Sequence, residues 1–250
     1  MDIVRLDVGK GALAFSTLRG VEACDSRSAY AGFNVCHYTG DEPAHVAECR
    51  RKLAAYVGTD VDALIIPRQT HSVNVAVIGD VIPCLDGVDA LVTVRDDVAL
   101  VVNTADCLPI VFNDSRHGVI GIAHGGWRGL YDGIVASTIE AMVSLGAVRS
   151  DMRVAIGPYI CGDCYEVDEQ FAERFSRRFG DGVVRRSVGA KPHVDLREAV
   201  MVALSRAGVE RAVVVVSVLC SRCDSRLFSA RRMGVKSGRI ATIVRRLSGQ

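Results

Sequence analysis

Three turns in this 250-residue chain each set a metal-competent side chain beside a strand-like run: RQTHSVNV with His71, NTADCLPI with Cys107 and GIAHGGWRG with His124. Two imidazoles and a thiolate are donors that zinc prefers, and three protein ligands leave the fourth tetrahedral position for water or substrate. That count suits catalysis more than structure. The gaps of 36 and 17 residues match no compact finger or ribbon. Spacing alone therefore leaves a plainer reading open, in which each His closes a strand and Cys107 is a small buried group. A single copper ion (Cu2+) suits the same donors. Multicopper oxidases, by contrast, need many more imidazoles than the six present, and no His-x-His occurs.

Two Cys-x-x-Cys units, CGDC at 161–164 and CSRC at 220–223, form a rival set, in which Cys161, Cys164, Cys220 and Cys223 would make a structural four-thiolate zinc site. Roughly sixty residues holding two helical patterns separate the pairs, more than such sites ordinarily use. If these four held the metal and the trio were core, the protein would be a zinc-stabilised binding module and not an enzyme. A thioredoxin-like role for CGDC fits less well, because YEV follows where a helix should start. In AHGGWRGL, strand, glycine pair and helix follow in the order that presents free N–H groups to an anion, and Arg128 would add a forked contact to phosphate. The plainer alternative is that the glycines permit a tight turn while Trp127 packs in the core. Neither a Walker loop nor G-x-G-x-x-G is present, which argues against ordinary nucleoside triphosphate or dinucleotide use.

Thirty basic residues against twenty-nine acidic ones leave a formal charge of +1, with no footprint for nucleic acid or an anionic membrane surface. Small neutral or locally charged substrates fit better. The first twenty residues carry Asp2, Arg5, Asp7 and Lys10 where an export signal would be uninterruptedly apolar. Apolar runs such as AVVVVSVLCS at 212–221 reach only about half of the ~20 residues that a membrane-spanning helix needs. A cytoplasmic location is expected. The nine cysteines, an odd number, then read as reduced thiols, ligands or buried small residues and not as a disulfide framework.

Strand-like and helix-like segments alternate, the pattern of an α/β protein with a mixed or parallel sheet. Residues 41–56 read as a helix, with Asp41 as its cap and Pro43 in the first turn. β-branched runs at 63–66, 73–78, 89–94, 98–102, 109–112 and 118–123 predict a strand-rich middle. Helical spacing follows over 130–146, a strand over 153–160, and helices over 168–179 and 195–208, the last opening with Asp195 and Glu198 in a capping-box-like start. The nearly continuous apolar run at 211–220 predicts a strand covered on both sides. No repeat or linker interrupts residues 1–250, so one domain is expected.

Taken in order, QTHSVNV, DGVDALVT, NTADCLPIVFND, GIAHGGWRG, IGPYICGDCYEV and LFSARRMGVKSGRI resemble the YfiH-type laccase-domain family over most of the chain. Members of that family have been labelled polyphenol oxidases and purine nucleoside phosphorylases. The resemblance implies a single layered α/β domain, a mixed β-sheet flanked by helices in the YfiH-like, cytotoxic-necrotizing-factor-like cysteine hydrolase fold. It also implies zinc (Zn2+) held by His71, Cys107 and His124. The implied activities are phosphorolysis of adenosine, inosine and S-methyl-5'-thioadenosine, and deamination of adenosine by attack of zinc-activated water at C6, so the partners are purine nucleosides and phosphate. Asn34 and Arg50 match family positions near the pocket. Asp106 is expected to orient a ligand or a substrate hydroxyl, and Arg128 to cradle phosphate. The chain departs from the family at three places: the usual C-C-Y-E-V reads Asp163-Cys164-Tyr165-Glu166-Val167, T-R-x-G-G-V-S becomes Thr17-Leu18-Arg19-Gly20-Val21-Glu22, and H-V-G-D becomes Tyr38-Thr39-Gly40-Asp41. Those changes touch the N-terminal loop that would face substrate and leave the trio intact.

Overall fold

In the computed structural model, which describes residues 1–24, 26, 28–210 and 213–247, the β-branched runs become strands. In chain order the elements are β1 (Ile3–Arg5), β2 (Ala12–Thr17), α1 (Pro43–Val57), β3 (Leu64–Ile65), β4 (Val75–Val77), β5 (Ala90–Thr93), β6 (Ala99–Thr104), β7 (Leu108–Asp114), β8 (Val119–Gly125), α2 (Trp127–Asp132), α3 (Ile134–Ser144), β9 (Arg153–Ile156), α4 (Glu169–Phe179), β10 (Val184–Arg185), β11 (His193–Val194), α5 (Leu196–Arg206), β12 (Val214–Val216), α6 (Ala230–Met233) and β13 (Ile240–Arg246). They form a five-stranded sheet in the order β1-β2-β13-β6-β3, a six-stranded sheet in the order β12-β9-β7-β8-β5-β4, and a small β10-β11 ribbon. Both large sheets mix parallel and antiparallel pairs.

The period-two alternation of side chains stacks the sheets. Leu100 and Val102 of β6 join Leu91, Val111, Ile120 and Ile122 from the six-stranded sheet in one core. Ala99 and Val101 turn the other way, against Leu53, Ala54 and Val57 of α1. On the far face of the six-stranded sheet, Val92, Ile110, Phe112 and Ile156 pack with Ile139, Met142, Phe175 and Leu204 from α3, α4 and α5. The layers are therefore α1, sheet, sheet, helices. Strands covered on both faces have no reason to alternate in polarity, which is why their runs are near-continuously apolar. The layered α/β expectation holds, with the mixed sheet divided in two.

Several local expectations change. Asp41 does not cap α1, which starts after Glu42 with no side-chain cap; it accepts instead from Asn34 Nδ2 at 2.7 Å and pairs with His45 Nδ1 at 2.8 Å. The helix expected over 130–146 is two helices, because Gly133 sits at φ 112° between them. The run at 211–220 is no doubly covered strand: β12 is the edge of its sheet, with Val215 46% exposed, and residues 211 and 212 lie outside the described ones. β-branched residues there satisfy strand conformation without burial. The helices expected near 168 and 195 form as α4 and α5, with Asp168 and Asp195 accepting from the N–H groups of Phe171 and Arg197.

Candidate metal centre

Antiparallel pairing carries the chemistry to one end of the six-stranded sheet. Leu108 opens β7 opposite Gly125, and Pro109 lies opposite His124, so Cys107 meets the end of β8. β5 runs antiparallel to β8 with Ala90 opposite Ala123, which brings Asp89 to the same end. His71 enters from the loop between β3 and β4. Among the described residues, the two non-glycine positions with positive φ are His71 at 63° and Asp106 at 89°. Such backbone is held only where neighbours over-determine it. Asp106 Oδ1 accepts from Ser221 Oγ at 2.6 Å and its Oδ2 from the Arg231 N–H at 2.7 Å, while the His71 N–H donates to Asp89 Oδ1 at 3.0 Å.

One buried carboxylate organises both imidazoles. Asp89 accepts from the N–H groups of Thr70, His71 and Ser72 at 3.0, 3.0 and 2.8 Å, from Ser72 Oγ at 2.8 Å and from His124 Nδ1 at 2.7 Å. Burial works against its ionisation, but the bonds from His124, Thr70 and Ser72 hold it down at about 2. An ionised carboxylate only accepts, so Nδ1 of His124 is the donor and Nε2 is left free to act as a ligand. Cys107 Sγ lies 3.6 Å from His71 Nε2, and the ligand atoms of His71, Cys107 and His124 all lie within 4.8 Å of one another. Zinc at about 2.3 Å from sulfur and about 2.0–2.1 Å from nitrogen, with a tetrahedral angle between them, would separate the two donors by about 3.6 Å. Two imidazoles and one thiolate at that spacing fit zinc, and the donor types also admit one copper ion.

Burial would raise the Cys107 thiol, but the charge of His124 and hydrogen bonds from both imidazoles bring it down to about 6. Burial likewise disfavours protonated His124, yet the Cys107 thiolate and Asp89 lift it to about 9. Metal-free protein therefore holds a thiolate–imidazolium pair at neutral pH. Alkylation of Cys107 by iodoacetamide in the metal-free protein is expected to titrate with a midpoint near 6, well below the roughly 8.5 of a free thiol, and zinc should suppress it. Peptide mass mapping across pH checks this, and a midpoint at the free-thiol value would contradict the pairing.

The trio lies in the wall of a cavity of about 740 Å³ that is also lined by Tyr38, Asn103, Trp127, Tyr165, Arg231, Lys236 and Arg239. That volume suits a small-molecule ligand. Asn103 is buried, and Gln69 takes its backbone N–H and C=O at 2.7 and 2.8 Å, while its side-chain Oδ1 and Nδ2 have no partner among the described residues. A buried amide left unpaired on a cavity wall is costly unless a ligand completes it. Neither Asn103 nor Asp89 belongs to the residues that motif spacing singles out; their signals in the sequence are a polar residue ending the apolar run of β6 and an acid opening that of β5.

The glycines of GGWRG serve close approach. A Cβ on Gly126 would collide with the His71 imidazole, one on Gly125 would lie 2.9 Å from Leu108 O, and one on Gly129 2.8 Å from Ser72 O. Arg128 is exposed with its guanidinium 5.2 Å over the Trp127 ring and does not line the cavity; the cations that do are Arg231, Lys236 and Arg239. Asn34 is buried away from the cavity, where its Oδ1 accepts from the Arg239 N–H at 3.1 Å, so it positions a cavity residue. Arg50 donates to Val35 O, sits 2.7 Å from His37 Nδ1 and lines a different cavity. Asp106 does line the main cavity, but its carboxylate is engaged by Ser221 and Arg231, and the carboxylate that orients an imidazole is Asp89.

The sequence model of the multi-copper polyphenol oxidoreductase laccase family matches residues 14–246. The chain belongs to this laccase-domain family. It is 43% identical over 258 residues to adenosine deaminase RL5 from an unknown prokaryotic organism, covering 97% of this chain and 98% of the relative. A purine nucleoside phosphorylase of Bacteroides thetaiotaomicron is 35% identical, with 86% and 85% of the two chains covered. Among solved structures, YfiH of Bacillus licheniformis superposes with a TM-score of 0.87 at 28% identity, covering 94% of this chain and 93% of that one. YlmD of Geobacillus stearothermophilus gives 0.83 at 29% identity, with 95% and 92% covered.

Proposed function

We propose that this laccase-domain protein is a zinc-dependent enzyme of purine nucleosides, a phosphorylase of adenosine, inosine and S-methyl-5'-thioadenosine that also deaminates adenosine. The observation that carries the reading is the convergence of His71, Cys107 and His124 on the wall of a cavity of about 740 Å³. Relatives named adenosine deaminase and purine nucleoside phosphorylase support it. Zinc held by that trio would supply Lewis acidity and a nucleophilic water at neutral pH. Asp89 keeps His124 in the ligand tautomer. Trp127 and Tyr165 offer faces on which a purine stacks, and the unpaired Asn103 amide offers a donor and an acceptor to a base or a sugar. Arg231, Lys236 and Arg239 can hold phosphate beside the anomeric carbon, where its charge also stabilises an oxocarbenium-like transition state. The reading treats the chain as one domain acting in the cytoplasm. Among the described residues, no helix is long and apolar enough to cross a membrane.

Incubation of the zinc-loaded protein with adenosine, with and without phosphate, tests the assignment by product chromatography. Adenine should appear only with phosphate, and inosine in both cases. No turnover, together with phenol oxidation by copper-loaded protein, would transfer the assignment to a one-copper phenol oxidase, the activity that the family's description suggests. Lys236 has no ion-pair partner among the described residues. Lys236→Ala is expected to raise the KM for phosphate roughly tenfold, the loss of one exposed charge-assisted contact, while deamination changes less than about twofold. Steady-state kinetics of both reactions check this, and equal losses in the two would refute the division of roles.

A further inference from the structure

A second cluster of potential ligands forms beyond the ends of β9 and β12. These two strands are parallel neighbours, so the turns that follow them leave the sheet side by side. The Ser217 N–H donates to Ile156 O at 2.8 Å and the Ser221 N–H to Tyr159 O at 2.9 Å, which ties the exits together. Cys161 and Cys164 lie in the first turn and Cys220 and Cys223 in the second. Adjacent parallel strands thus bring together pairs that are 59 residues apart.

The four sulfurs lie within 4.8 Å of one another, with Cys164 Sγ and Cys223 Sγ 3.3 Å apart. A tetrahedral four-thiolate zinc centre with Zn–S of about 2.3 Å has edges of about 3.8 Å. All four cysteines are free. The Cys161 N–H donates to Cys220 Sγ at 3.3 Å. A donor aimed at sulfur favours a thiolate over a thiol. Each turn is closed by its own backbone, through the Cys164 N–H to Cys161 O and the Asp224 N–H to Cys220 O, both at 3.0 Å. Arg232 clamps the second turn further by donating to the carbonyls of Ser221, Arg222 and Asp224.

We propose that Cys161, Cys164, Cys220 and Cys223 form a structural zinc site, closed by four protein ligands and separate from the His71–Cys107–His124 group. Loading exchanges up to four thiol protons for one Zn2+, the protons passing to solvent, and leaves a centre of charge −2. Arg185 and Arg197 line the small cavity beside Cys161 and Cys220, together with their ion-pair partners Asp163 and Asp195. The site would brace the main cavity. Ile160 and Tyr165, which flank the first cysteine pair, are part of its wall, and Ser221, between the second pair, holds Asp106.

Metal analysis of the full chain tests the site without reference to turnover. Wild type purified under reducing conditions should carry two zinc ions per chain, and Cys107→Ala and a Cys161→Ser/Cys164→Ser double variant one each. Cobalt-loaded Cys107→Ala protein, which keeps all four cysteines, should show the thiolate-to-cobalt absorption of a tetrahedral sulfur site, and this decides the matter even if the double variant fails to fold. A single zinc in wild type that is lost with Cys107, a Cys107→Ala protein without that cobalt absorption, or disulfides joining the four cysteines in the reduced preparation would each overturn the proposal.

Discussion

Cys107→Ala protein loaded with zinc is expected to convert adenosine at least about 10³-fold more slowly than wild type, with its secondary structure unchanged. A catalytic metal supplies several kcal/mol of transition-state stabilisation, and each 1.36 kcal/mol is about tenfold in rate. With one of three donors gone, His71 and His124 alone hold the ion poorly. The substitution also removes the thiolate that lifts His124 to about 9, so the remaining imidazole environment changes as well. Cys107 is half-buried and precedes β7 without forming part of it, so circular dichroism should not move. Turnover within tenfold of wild type would place the reacting centre elsewhere.

Asp89→Asn is expected to weaken zinc binding at the trio about 10- to 100-fold, the usual cost of losing a carboxylate that orients a ligand, and to destabilise the fold by about 2–4 kcal/mol. The substitution is nearly isosteric, so the damage is electrostatic. An amide has one acceptor oxygen and an NH2 group that itself donates, and it must face the donors of Thr70, His71, Ser72 and His124. At least one or two of these buried donors lose their partner, at roughly 1–3 kcal/mol each. Chelator competition gives the affinity and denaturant titration the stability. The pH dependence has a definite sign. Asp89 is held at about 2 against an ordinary 3.8, so its ionisation stabilises the fold above pH 3.8 and that contribution is lost as pH falls through 2. The gap between wild type and variant should therefore close across that acid window; a gap that stays constant would assign the loss to packing.

The two halves of the site differed in how far the sequence exposed them. His71, Cys107 and His124 are legible because each is a side chain with metal chemistry set beside a strand-like run, a feature visible one residue at a time. Asp89 shows in DGVDALVT only as an acid opening an apolar run, and its importance comes from five donors contributed by Thr70, His71, Ser72 and His124 after folding. Asn103 likewise shows only as a polar residue ending an apolar run, and what distinguishes it is an unpaired amide, a property of its surroundings. Arg128 looked like an anion ligand from its glycine-rich turn, but those glycines make room for the His71 loop and β7, and the cavity's cations come from the far segment that includes Lys236 and Arg239. In the fold, alternation fixes which side chains share a face but not which partner sheet covers it. Two stacked sheets thus read as one in the sequence, and of β13, which lies between β2 and β6 in the five-stranded sheet, only Ile240 falls within the motif LFSARRMGVKSGRI.

His71, Cys107 and His124 come from a loop, a strand start and a strand end that meet only once β5, β7 and β8 have paired. A denatured chain scatters them, so an ion bound at this point draws the folding equilibrium by mass action, by about 2.7 kcal/mol at a free concentration one hundred times Kd. On the proposed zinc assignment, zinc supply and survival of the native sheet are linked, and a chelator is expected to act as a mild denaturant.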